Sequence, residues 1–286
     1  ASADGTIRIW SVETGQWLAA LLSLPDEGWA AVFIDKVSGV DVGSKATIAG
    51  TLIGKNDKGN YTGAGVYVNG DVDGAEIIVT GTADISGTGH GMYLAGNADT
   101  TIADGAVITG EMTGIEIRAG SLTVNGGTIE GKGTPTEFLS NGNGSTTTGA
   151  GIAVVKHTTT FDLSATITAG EIIGYTALYE RKDANAGAGT ITLRVTGGSF
   201  VSGGGDAVYS ENCTAFITGG TFDDFSAIPY MEDGSSIDIV LSETITLISS
   251  IINIDGDKTV NIDLNGNNIE FADGKRFLIC NGTLNL

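Results

Sequence analysis

An all-β parallel solenoid is the fold this sequence predicts, and three observations carry the prediction. The first is composition: 286 residues include 45 glycines and three prolines, with 41% hydrophobic and 17% charged residues. That is enough apolar material for a large core, and abundant glycine without a Gly-X-Y period excludes collagen and calls for many tight turns between short strands. The second is a phrase stated twice, "VTGGSF" at 195–200 and "ITGGTF" at 217–222. Weaker copies are "VNGGTI" at 124–129, "ITAGEI" at 167–172, "IADGAV" at 102–107 and "IAGTLI" at 48–53. The third is another phrase that alternates with the first: "GVYV" at 65–68, "GMYL" at 91–94, "GIEI" at 114–117, "GIAV" at 151–154, "ALYE" at 177–180 and "AVYS" at 207–210.

The anchors of the first phrase are Ile48, Val79, Ile102, Val124, Ile167, Val195 and Ile217, at successive intervals of 31, 23, 22, 43, 28 and 22 residues. The shortest interval is the repeat. Two of the longer ones hold polar, glycine-rich insertions, at 131–149 and 182–189. A unit of about 22 residues, built of short alternating strands and tolerant of insertions at its corners, is the pattern of a solenoid whose rungs stack ~4.8 Å apart. In the second phrase Val66 and Val68, Met92 and Leu94, Ile115 and Ile117, and Ile152 and Val154 are expected to point inward as two columns. Glycines fall where the chain turns and a Cβ would clash or force a positive φ. A β-sandwich shares the short strands and turns, but it does not explain two phrases alternating in register.

Residues 40–230 resemble a right-handed parallel β-helix of the pectate-lyase-like type, and "VTGGSF" and "ITGGTF" are similar to phrases of large repetitive bacterial surface proteins. A single elongated β-helix of about seven coils is expected, and the resemblance says little about activity. Residues 245–286, with "KTVNIDLNGNNI" at 258–269, resemble the opening coils of such helices, "DLNG" making a turn. Residues 231–286 are therefore expected to add further solenoid-like strands, and the uncapped ending "NGTLNL" suggests a chain that continues in its native context. Residues 1–39 differ. "SADGTIRIWSVETGQWLAAL" at 2–21 resembles one WD40 repeat, yet a propeller needs several blades and no further match follows. The segment is read as a non-repeat N-terminal cap, or else a WD40-like remnant, with "ETGQWLAALLSL" covering the first rung, because a bare solenoid end exposes unpaired backbone.

A net charge of −20, with only 14 scattered Lys and Arg residues, argues against nucleic acid and anionic membrane surfaces as partners. No run reaches the ~18 apolar residues of a membrane span, and "WLAALLSL" at 17–24 lacks the flanks of a signal peptide, so no membrane insertion is expected. Cys213 and Cys280 lie too far apart in sequence to indicate a disulfide framework.

Between the inward pairs of the second phrase lies one outward column: Tyr67, Tyr93, Glu116, Ala153, Tyr179 and Tyr209. A tyrosine offers a flat ring and a polar handle to a sugar, so Tyr67, Tyr93, Tyr179 and Tyr209 are the candidate glycan-binding residues. The alternative is an aromatic ladder that only packs stacked strands. For catalysis, "YERKD" is the best place to look: in lyases of the resembling fold, carboxylates hold calcium and a basic residue abstracts a proton. That reading assigns Glu180, Arg181, Lys182 and Asp183; the plain alternative is a solvated corner. A hydrolase would need two carboxylates ~5–10 Å apart, and sequence does not fix the separation of Asp206 from Asp223 and Asp224 in "TFDDF".

His90 and His157 lie in different rungs without evident carboxylate or cysteine companions, which argues against zinc. "GGGD" at 203–206 lacks the lysine and helix of a phosphate loop, and no RTX-type calcium repeat occurs. No cofactor is indicated, with calcium at single turns left open. Threonines at 145–149 and 157–161 come in runs and not once per rung, so a regular threonine array is not expected. A tail-spike-like trimer would need a lateral apolar strip that the sequence does not display.

The expectation is a non-catalytic structural or adhesive segment of a bacterial surface or secreted protein, extracellular or at the cell surface. Glycans or other surface proteins are its expected partners, and open ends favour end-to-end self-association. A polysaccharide lyase or glycoside hydrolase acting on an acidic polysaccharide is the alternative.

Overall fold

The computed structural model describes residues 6–10, 17–22, 32–34, 45–54, 63–140, 147–247, 252–273, 276–279 and 281–286. Strands make up 57% of the structure and wind into a parallel β-solenoid of about eight turns, one more than the seven expected. The repeat anchors are true register partners: Ile48 pairs with Val79, Val79 with Ile102, Ile102 with Val124, Val124 with Ile167 and Ile167 with Val195, and an isolated bridge joins Val195 to Ile217. One further bridge, Ile217 to Met231, continues the column after only 14 residues.

Each regular turn has three faces. Two belong to a 12-stranded sheet whose longer strands, such as Asp73–Gly87, Gly120–Gly131 and Leu163–Gly174, bend between faces. The bend explains the repeated phrase. Val195 closes one inward column, Phe200 lies in the next, and Gly198 between them sits at φ +98°, matched in neighbouring turns by Gly127 at +84°, Gly170 at +104° and Gly220 at +127°. A side chain is disfavoured in that left-handed conformation. The third face is the nine-stranded sheet of the second phrase, which includes Val66–Val68, His90–Leu94, Thr113–Ile117, Ala150–Lys156, Thr176–Lys182 and Val208–Ser210. At its entrance a Cβ on Gly87, Gly110 or Gly131 would lie 1.9 Å from the carbonyl oxygen of His90, Thr113 or Ala150 respectively, so this corner tolerates only glycine.

The core is one continuous stack. Ile85, Ile108, Ile129, Ile172, Phe200, Phe222, Ile239 and Ile262 form one column, and Val66, Met92, Ile115, Ile152, Leu178 and Val208 face it. Phe200 and Phe222 stack with ring centroids 4.9 Å apart. Burial of each such side chain contributes roughly 1.5–3 kcal/mol. The described strands within 231–286 continue the winding: Ser236–Val240 pairs in parallel with Thr259–Asp263, which pairs with Thr283–Asn285. The expected "DLNG" turn is present, with Asn265 and Gly266 at positive φ and the Asn265 amide bonded to Asp263 Oδ1 at 2.8 Å.

At the other end, Thr6–Trp10 and Trp17–Leu22 pair antiparallel, and Val32–Ile34 joins Val66–Val68 in parallel. Most of residues 1–39, including much of the WD40-like stretch, lies outside the described residues. Among the described residues no helix is long and apolar enough to cross a membrane. Cys213 is a free thiol, its pKa pushed up to about 11 by burial and then by Glu180; Cys280 lies outside the described residues.

Candidate functional site

The outward column of the nine-stranded sheet is in the expected register: Tyr67, Tyr93, Glu116, Ala153, Tyr179 and Tyr209 are successive partners. Facing outward does not leave this column open. Tyr93 and Tyr179 are 2% and 7% exposed, Glu116 and Ala153 are fully buried, and only Tyr67 and Tyr209 are half-buried. The rings pair as a ladder, Tyr67 on Tyr93 at 5.5 Å and Tyr179 on Tyr209 at 5.2 Å between centroids. At the gap, Phe138 and Thr147 of the 131–149 insertion lie against the sheet. Phe138 packs against Ala150, Ala153, Val155 and Tyr179, and the small Ala153 leaves it room.

Beneath that insertion lies a group of buried ionisable side chains. His90 Nε2 is 2.9 Å from Glu116 Oε2, and the same oxygen accepts the Thr147 amide at 3.2 Å. Arg118 Nη1 donates to the Tyr93 hydroxyl, whose pKa rises through burial first and then through Glu116. His157 Nδ1 is 3.8 Å from Asp183 Oδ2, which also accepts the Ser140 hydroxyl at 2.5 Å. Phe138 is stacked on His157 at 5.5 Å, and the Arg181 guanidinium sits 4.8 Å from the same ring. Both histidines thus have carboxylate partners, which corrects the reading that they lack them. Each partner is reached across rungs, a relation that sequence spacing alone does not reveal. Among the described residues no group of three or more His, Cys, Asp or Glu side chains is arranged to hold a metal.

"YERKD" divides between inside and outside. Glu180 occupies the inward column after Val68, Leu94, Ile117 and Val154 and is fully buried. Its Oε2 accepts Ser210 Oγ at 2.7 Å and the Glu211 and Asn212 amides at 3.0 and 2.8 Å, while Oε1 accepts Asn212 Nδ2 at 2.9 Å. Arg181 is 3.4 Å from both Glu211 and the Tyr179 hydroxyl. Asp183, 5% exposed, is held below its usual range by the Ser140 hydrogen bond and that of the Asn185 amide. Lys182 is exposed. The segment is therefore neither a solvated corner nor a set of groups converging on a groove. Glu180 pins the loop that follows Val208–Ser210.

A third acidic group lies at the turn after Thr221–Phe222. Asp223 Oδ2 accepts the Ser202 amide at 2.8 Å, with the Ser202 and Ser242 hydroxyls at 3.2 and 3.3 Å, while its buried Oδ1 has no partner. Burial, more than the neighbouring Asp224, pushes its pKa up to about 6. Asp224 bonds the Ala207 amide at 2.9 Å, and Asp206 is shifted upward by burial and then by Asp224. The fold thus brings Asp206, Asp223 and Asp224 to one corner, a juxtaposition hidden in the sequence. Thr101, Thr123 and Thr166 share one outward column, but Ile78 and Arg194 end it, so it does not extend to one threonine per rung.

A groove of about 430 Å³ runs along the last turns and is lined by Thr221, Asp238, Val240, Asn261, Asp263 and Asn285. Its amides form a ladder, Asn285 to Asn261 at 2.7 Å and Asn261 to Asp238 at 2.8 Å. Comparison with family models, curated proteins and solved structures returns no match.

Proposed function

We propose that this chain is a non-catalytic structural segment of a bacterial surface or secreted protein, a stiff solenoid that holds its inserted loops at fixed positions. One observation carries the reading: Glu180, Asp183 and the stacked tyrosines, the candidates for catalysis and glycan binding, are engaged within the fold. Glu180 accepts four hydrogen bonds, Asp183 and Glu116 are tied to histidines and to the inserted segment, and the tyrosines stack on one another. A lyase needs a base and carboxylates open to substrate, and a calcium ion needs six to eight oxygens. A solenoid gives a long display surface without a pocket, and a charge of −20 resists unwanted association. Placement outside the cell, with glycans or other surface proteins as partners, belongs to the same proposal.

An adhesive version is favoured by Tyr209, half-buried and stacked on Tyr179, which leaves one aromatic edge for a sugar. The test is incubation with polyuronates, with and without calcium, following ultraviolet absorbance of unsaturated products alongside glycan binding. The structural reading predicts neither turnover nor binding. Binding lost on Tyr209→Ala supports the adhesive version, and turnover abolished by Arg181→Ala overturns both.

A further inference from the structure

The nine-stranded sheet ends at Val208–Ser210, which pairs on one side with Thr176–Lys182. The Ala207 carbonyl accepts the Leu178 amide and the Glu211 amide donates to Glu180, so the alternate groups, those of Val208 and Ser210, face the other side. There they meet side chains in place of another strand. The Ser226 hydroxyl accepts the Val208 amide at 2.9 Å. The Tyr230 hydroxyl accepts the Ser210 amide at 3.1 Å and donates to the Ser210 carbonyl at 3.0 Å. Asp224 Oδ2 takes the Ala207 amide at 2.9 Å, and Oδ1 holds Ser226 by its amide at 2.8 Å and its hydroxyl at 2.5 Å. The same segment closes the core. Phe225, Ala227 and Ile228 are buried in it, and the 3-10 turn Ile228–Tyr230 stacks the Tyr230 ring on Phe216 at 5.4 Å. Residues 224–230 thus supply what a bare solenoid end lacks, partners for edge backbone and apolar cover, although further strands follow.

Beyond this segment the winding is joined by little. Thr221–Phe222 meets Ser236–Val240 at Thr221 with Asp238 and at Phe222 with Ile239. Beside these pairs lie the isolated bridge from Ile217 to Met231 and the Asp223 carboxylate, shared by Ser202 on one side and Ser242 on the other. By contrast, Gly120–Gly131 pairs with Leu163–Gly174 along both faces, and every residue of Ser236–Val240 pairs with Thr259–Asp263. Among the described residues the nine-stranded sheet does not resume. Ile245–Leu247 with Ile269–Phe271, and Ile252–Ile254 with Phe277–Ile279, are separate two-stranded sheets, and Ile252–Ile254 packs against the 3-10 turn without strand pairing. Stacked repeats hold together through nearest-neighbour interfaces, so cooperativity breaks where an interface is weak. We propose that residues 224–230 are an internal cap and joint. They close the turns up to Phe222 as one unit, and the described strands from Ser236 onward open as a second, separate unit. This division is independent of the spacer reading.

Amide exchange on the full chain across a urea series tests this. The amides of Ile237–Val240 and Val260–Ile262 should share one opening free energy. They should lose protection at lower urea than those of Ala165–Ile167 and Phe200–Val201, because Ile269 and Leu284 leave the second unit's core half-buried. Val208 and Ser210, bonded to the cap, should stay protected with the earlier turns. Tyr230→Phe keeps the ring and removes the hydroxyl. At urea concentrations where Ile237–Val240 are already open, it should lower Ser210 protection by roughly 2- to 12-fold, the net value of one hydrogen bond. A single opening free energy for all these amides would overturn the proposal, and so would Val208 and Ser210 opening together with Ile237–Val240. Should Tyr230→Phe fail to fold, Ser226→Ala read at Val208 serves instead: a loss of the same size supports the cap, and unchanged protection contradicts it.

Discussion

Replacing Thr100 by valine should stabilise the solenoid. Thr100 stands in an inward column between Ile77 and Leu122, is 1% exposed, and its hydroxyl has no hydrogen-bond partner. A buried hydroxyl left unsatisfied costs roughly 1–3 kcal/mol. Valine keeps the branched shape favoured in a strand and replaces the hydroxyl by a methyl, so Thr100→Val should gain about 1–3 kcal/mol locally. Thr101, next in the chain, faces outward and is half-buried, and Thr101→Val should change stability by no more than about 0.5 kcal/mol. Repeat arrays unfold in parts, so the assay is denaturant-dependent amide exchange read at Ile77, Thr100 and Leu122. Equal effects of the two substitutions, or a loss at Thr100→Val, would refute the inward assignment of this column.

Three further substitutions test other parts of the account. Glu180→Ala leaves the donors of Ser210, Glu211 and Asn212 without their acceptor and should cost on the order of 3 kcal/mol, read as lost protection of that loop, whereas Glu180→Gln should keep part of it. Gly110→Ala forces a Cβ to 1.9 Å from the Thr113 carbonyl and should disrupt the turn, seen as reduced soluble yield and a lowered melting temperature; a wild-type melting temperature would contradict the corner geometry. Burial pushes the Asp223 pKa up from the ordinary 3.8 to about 6. Its contribution is fully present below the unfolded value and is lost as pH rises through about 6, amounting to about 3 kcal/mol by pH 7. The stability of Asp223→Asn relative to wild type should therefore improve by about that much from pH 4 to 7, measured by urea unfolding; a constant difference would show that Asp223 is not shielded.

Register was legible in the sequence because it is written by apolar anchors. The intervals ending at Val79, Ile102, Val124, Ile167, Val195 and Ile217 each match a backbone pairing, insertions included. Glu180 carries a signal that both the lyase and the solvated-corner reading leave out, since it takes the fourth place of its phrase, where earlier copies have valine, leucine or isoleucine. Exposure was not legible, because the alternation of a strand says which side a residue faces and nothing about what later folds over it. Tyr93 and Tyr179 face outward and are covered all the same. The one signal was Ala153, a small residue in an aromatic column beside a long insertion. The histidine–carboxylate contacts were not legible because each joins residues 26 apart, a diagonal step between rungs that no local pattern records.

The central claim is the parallel, in-register stack, and a single distance tests it most directly. Glu76, Asp99, Ser121, Ser164 and Thr192 form one outward column, each the register partner of the next, and the end members are exposed. Spin labels at positions 76 and 192, with Cys213 and Cys280 replaced by serine, would lie four rungs apart. Pulsed dipolar spectroscopy should give a single narrow distance of about 19 Å between their backbone positions, broadened only by the label arms. A broad distribution, or a distance beyond about twice that value, would contradict the solenoid.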